Sequence, residues 1–168
     1  MRKALYILGD LEDGDIIWLA RNGSVRAVAP GEELIHEGRA IDHLFFVTDG
    51  SFIVSTHGRR IAEVSLGDVL GEMSFVEKRL PTATVTAAAN ARVLAVPRHA
   101  IIAAFDADAG FAARFYRALA VFLSDRLRTA TAQTGADDNE LDEAVLDNLS
   151  MAGDRFVRLI ALLEGRMR

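Results

Sequence analysis

Residues 70–85 read LGEMSFVEKRLPTATV, and they gather the groups best suited to gripping a small anion. Gly71 has no Cβ, so its backbone can lie close to a ligand. Glu72, Met73 and Ser74 open a short helix, whose unbonded N–H groups can cradle a phosphate. Ten residues after Gly71 stands Pro81, followed by Thr82, Ala83 and Thr84 with two hydroxyls. A cation beside those hydroxyls is missing. Lys78 and Arg79 lie three and two residues upstream of Pro81. A plainer reading covers the same letters: a Gly-Glu turn before a helix, then a strand opening on a tolerated proline.

Other chemistries find little support. The chain has no cysteine, which excludes disulfides, zinc-thiolate sites and thiol nucleophiles and suits a reducing cytoplasm. His36, His43, His57 and His99 lack metal-ligand spacing, so no metal is expected. No Gly-x-Ser-x-Gly elbow is present, and no catalytic set can be assembled, so the chain is not read as an enzyme. Asp10 and Glu12 read as helix-start charges.

The elements that must position the 70–85 run are legible in outline. Asp10–Arg21 has Leu11, Ile16, Ile17 and Leu19 behind an acidic first turn, and Asn22-Gly23 stops it. Residues 24–97 hold short β-rich runs: SVRAVA, ELIHEG, HLFFVT, SFIVST, RRIAEV, TATVTAA and ARVLAVP. Turn signals separate them, which predicts an all-β sandwich or barrel. Asp49-Gly50 predicts a tight hairpin between HLFFVT and SFIVST, and His57-Gly58 closes the next one. Pro97 is read as a first helical position. A long helix is expected over 108–133, with Phe111, Phe115, Leu119, Phe122, Leu123 and Leu127 on one face. Two short helices follow, one striped by Leu141, Val145 and Leu149, the other by Phe156, Leu159, Ile160 and Leu163. Ala152-Gly153 separates them. No internal repeat is found.

Composition narrows the partners. Net charge is −5, with 24 acids against 19 bases, which opposes broad nucleic-acid binding. ARVLAVP and IIAAF are far shorter than the roughly 20 apolar residues of a membrane span. The start MRKALYILGDLED turns acidic too soon for a signal peptide.

Three spaced motifs, PGEELIHEG (30–38), LFFVTDGSFIV (44–54) and LGDVLGEMSF…PTATV (66–85), resemble the cyclic-nucleotide-binding domain family. The resemblance covers about residues 8–133, with glycines 31, 38, 50, 67 and 71 at the family's turn positions. It implies a mainly β fold with flanking helices, a jelly-roll-like β-roll followed by a long helix. It implies a ligand, cAMP or cGMP, held by Gly71, Glu72, Met73, Ser74, Thr82, Ala83 and Thr84. Glu72 would accept from the ribose 2′-hydroxyl, and Thr82 would meet the phosphate. The family's phosphate-pairing Arg falls at Pro81, which offers neither charge nor N–H. Losing such a charge-assisted pair, worth about 1.5–3 kcal/mol, weakens binding by roughly one to two orders of magnitude. Arg79 is the candidate substitute cation.

The resemblance also implies a homodimer through the 108–133 helix. The segment 134–168 holds six acids between Asp137 and Asp147, too acidic and too short for the DNA-reading module of related transcription factors. The expectation is therefore a domain at 1–133 and a helical tail at 134–168. The whole is read as a stand-alone cytoplasmic sensor whose tail meets a protein partner. A non-binding, dimerising scaffold is the second reading.

Overall fold

The computed structural model describes residues 5–132 and 143–166. They divide into two compact units, one spanning 19–103 and the other made of the described parts of 2–18 and 104–168.

The first unit is built on two four-stranded antiparallel sheets. One takes β1 (Ser24–Val28), β8 (Ala91–Pro97), β3 (His43–Asp49) and β6 (Val69–Leu70), in that order. The other takes β2 (Glu33–Ile35), β7 (Thr84–Ala87), β4 (Ser51–Thr56) and β5 (Arg59–Ser65). Phe45, Val47, Phe52, Val54, Val85 and Val93 meet in the core between them. Burying such side chains is the main force holding the roll together.

Two predicted turns come out differently. His57 and Gly58 have φ of 50° and 74° and join the paired strands β4 and β5, as a primed hairpin turn requires. Asp49-Gly50 is not a hairpin. β3 and β4 belong to different sheets, so Gly50, at φ 79°, turns a corner from one sheet to the other. A Cβ there would lie 2.6 Å from the Asn90 carbonyl oxygen, so only glycine fits. Pro97 is likewise not helical. It ends β8 opposite His43, and α4 (Arg98–Ala107) begins one residue later.

The helix expected over Asp10–Arg21 is α2 (Asp13–Asn22), which starts in the second unit, runs into the first and ends before Gly23; α1 (Leu5–Asp10) precedes it and was not expected. Asp13 and Asp15 in the first turn of α2 suit the helix dipole. α5 (Ala109–Ala132) matches the predicted long helix and buries Phe111, Phe115, Ala118, Leu119 and Phe122. Phe111 and Phe115 meet edge to face at 5.8 Å. Leu127, predicted on that same face, is 69% exposed instead.

The expected pair of tail helices is one helix, α6 (Glu143–Arg166), running through Gly153. Leu141 lies outside the described residues. Leu159 and Leu163 are buried. The Arg155 guanidinium donates to the Leu8 and Gly9 carbonyls at the end of α1, at 3.2 and 2.5 Å. Arg158 pairs with Asp13. Burial and these bonds outweigh the roughly 1 kcal/mol that a mid-helix glycine costs. No helix among the described residues is long and apolar enough to cross a membrane.

Candidate functional site

The predicted segment is a loop–helix–loop bridging the two sheets, from β6 of one to β7 of the other. Gly71, at φ 85°, turns the chain out of β6. A Cβ on it would come within 2.7 Å of Ile41 Cδ1. Glycine is therefore required by the backbone angle and favoured by the space. α3 (Glu72–Glu77) follows, and its Phe75 N–H bonds the Gly71 carbonyl at 3.0 Å. Lys78 ends α3 in the left-handed region at φ 55°, where the chain reverses toward β7.

Glu72 is 4% exposed and Ser74 6%, while the Met73 side chain is half in solvent. The Ser74 hydroxyl donates to the Arg79 carbonyl, closing the reversal that Lys78 begins. Arg79 itself is exposed. Ala83 packs against the roll core. Thr82 is exposed, and its carbonyl accepts from the Thr56 hydroxyl at 3.2 Å. The Thr84 hydroxyl accepts the Glu37 N–H at 3.1 Å, and the Pro81 carbonyl accepts the Gly38 N–H at 2.8 Å. The 71–74 and 81–84 runs thus lie at the two ends of one continuous segment. The second run is clamped by the β2–β3 connection and by the end of β4.

Sequence reasoning missed Arg98. Its Nη2 donates to the Ser74 carbonyl at 2.7 Å and its Nη1 to the Ile41 carbonyl at 3.2 Å. The guanidinium also stands 5.4 Å from the centre of the Phe75 ring, within cation–π range. Arg98 therefore fastens α3 and the β2–β3 connection to the first residue of α4. Its partners are backbone carbonyls, so no pairing of residue types announces it.

A separate surface cleft of about 430 Å³ is lined in part by Val28, Glu32, Asp49, Asn90 and Arg92. Its charges are matched among neighbours, Arg26 with Glu32 and Arg92 with Asp49. Among the described residues no group of His, Asp and Glu could hold a metal ion.

The profile of the cyclic nucleotide-binding domain matches residues 25–108, which is half of the chain and includes all of 71–84. The chain belongs to the cyclic nucleotide-binding domain family. Among curated proteins it is similar to the human voltage-gated delayed rectifier potassium channel KCNH5, at 31% identity over 125 residues. That match covers 66% of this chain and 12% of the channel, so the chain spans about an eighth of that relative's length. Among solved structures it is similar to the N-terminal domain of a transcriptional regulator from Streptomyces coelicolor. The TM-score is 0.60 at 27% identity, over 83% of this chain and 99% of that one. A cAMP-bound PfPKA-R shares the fold, with TM-score 0.57 and 21% identity over 74% of this chain and 44% of that one. The two-sheet roll with flanking helices is the family's fold. The predicted family and fold class both hold.

Proposed function

We propose that this chain is a regulatory, non-catalytic sensor module that takes cAMP, cGMP or a related phosphate ligand at its 71–84 segment. The observation that carries the reading is family membership over 25–108 with Gly71 and Glu72 in place at the head of that segment. The cAMP held by PfPKA-R supports the ligand class. Affinity is reduced relative to a site with an arginine at position 81, because Pro81 brings neither charge nor N–H. The lack of cysteine fits a cytoplasmic setting.

We further infer a homodimer through α5. Besides its buried face, α5 carries Ala113, Tyr116, Ala120, Leu123 and Leu127, spaced three and four residues apart in turn. Tyr116 is 46% exposed and Leu127 69%. That spacing is the seam of a two-helix coiled coil. Ligand contact at 71–84 biases α4 and α5 between two states, and α6 carries the change to a protein partner.

Titration calorimetry of the whole chain with cAMP and with cGMP, beside Glu72→Ala, tests the ligand. Saturable micromolar heat that Glu72→Ala weakens supports the reading. A folded protein that gives no heat up to millimolar nucleotide sinks it. That outcome favours a dimerising scaffold, the reading for which Pro81 and the internally bonded Ser74 hydroxyl already speak.

A further inference from the structure

We propose that Arg39 supplies the cation that position 81 lacks, making it a binding residue for the anionic group of the ligand. This rests on the phosphate-ligand reading above and assigns a residue to it. The observation is a docked turn. The Arg39 N–H bonds the His36 carbonyl at 3.1 Å, and Gly38 between them has φ 76°. A four-residue turn with positive φ at its third position is of type II. Both central N–H groups of that turn are spent on the ligand segment. Glu37 donates to the Thr84 hydroxyl at 3.1 Å and Gly38 to the Pro81 carbonyl at 2.8 Å. Arg39 is therefore one residue from a direct backbone bond to the position that has lost its charge, and the turn holds it there.

One part-buried competitor is already committed. Arg98 spends its guanidinium on the Ser74 and Ile41 carbonyls and on the Phe75 ring. The Arg79 carbonyl accepts from the Ser74 hydroxyl, which ties its backbone to α3, and its exposed guanidinium is the rival that Arg79→Gln tests. Glu37, the acid of the turn, is taken up by the β4–β5 hairpin. Its Oε2 accepts the His57 N–H at 2.9 Å, and its Oε1 stands 3.5 Å from His57 Nε2. Arg39 is exposed, on a long flexible stem that can place its planar donors against a phosphate. The positive charge has moved across the clamp, from the strand side to the turn side.

The experiment is calorimetric titration with cAMP and with cGMP of the whole chain and of Arg39→Gln, Arg39→Lys, Arg79→Gln and Arg39→Gln/Pro81→Arg. Circular dichroism checks each fold. Arg39→Gln keeps the backbone turn and removes only the charge. It is expected to weaken binding about ten- to hundredfold, a loss that shrinks as salt rises. Arg39→Lys retains most of the affinity, Arg79→Gln changes it less than about threefold, and Pro81→Arg restores it in the Arg39→Gln background. Parent binding left unchanged by Arg39→Gln overturns this inference alone, as does a loss carried by Arg79→Gln instead. Silence from the parent and every variant overturns the phosphate-ligand reading and takes this inference with it.

Discussion

Arg114 holds Asp15 through two parallel hydrogen bonds, Nε to Oδ2 at 2.7 Å and Nη2 to Oδ1 at 2.8 Å. The pair joins α5 to the first turn of α2 across 99 residues of sequence. Asp15 also accepts the Glu12 N–H at 2.8 Å, so one carboxylate both caps α2 and anchors α5. The bonds from Asp15 raise the Arg114 pKa further above its already high value. A raised folded pKa stabilises at every pH below the unfolded arginine value, so this contribution is constant over the accessible range. Arg114→Met leaves the buried Asp15 carboxylate without its cation. It is expected to lower unfolding stability in urea by about 2 kcal/mol. A change below roughly 0.5 kcal/mol would rank the pair with ordinary surface ion pairs.

Gly71→Ala meets two obstacles, the left-handed backbone and the Ile41 side chain. The backbone part costs about 1–2 kcal/mol and does not depend on Ile41. Thermal unfolding of Gly71→Ala in the parent and in an Ile41→Ala background separates the two. Relief in that background should be partial. Full relief would mean the backbone angle is not a constraint.

Glu32 is held below its usual pKa, first by the Ala29 N–H and then by Arg26. A depressed carboxylate adds stability above its unfolded pKa, and that addition fades as pH falls through the folded value. The stability difference between the parent and Glu32→Gln should therefore be present at neutral pH and close as acidification carries the pH below the folded value. Urea midpoints across that range measure it. A difference independent of pH would remove the charge from the explanation.

The outer stripe of α5 gives a test of assembly. Tyr116→Glu with Leu127→Glu puts like charges into the proposed seam and leaves the buried face of α5 untouched. Sedimentation velocity should show a dimer for the parent and a folded monomer for the double variant. A monomeric parent removes the dimer.

Glycine made the roll legible. Gly31, Gly38, Gly50, Gly67 and Gly71 were each expected at turns, and each has positive φ. What glycine does not reveal is which strands it joins. A corner and a hairpin ask the same angle of Gly50, and only the pairing of β3 with β8 and of β4 with β7 decides. Gly153 works in the opposite direction: in the sequence it marks a break between two helices, yet the helix runs through it, because the burial of Leu159 and Leu163 offsets its local cost. The 70–85 segment stood out because its residue types are unusual together. That the Gly38 turn clamps this segment was not visible, because its bonds come from main-chain N–H groups that any sequence carries.

The pairing of β8 has a consequence for how the chain is made. β8 lies between β1 and β3, with Ser24 opposite Ala95 and His43 opposite Pro97. A nascent chain emerging from its N-terminus has β1 and β3 in hand long before the strand that must separate them. Until Pro97 is clear of the ribosome, β1 has no strand partner and β3 has only β6 on its far edge, so the edges that β8 must fill stay open. Such distant pairing makes folding slow for the size of the roll, and synthesis holds it in this unfinished condition until β8 arrives.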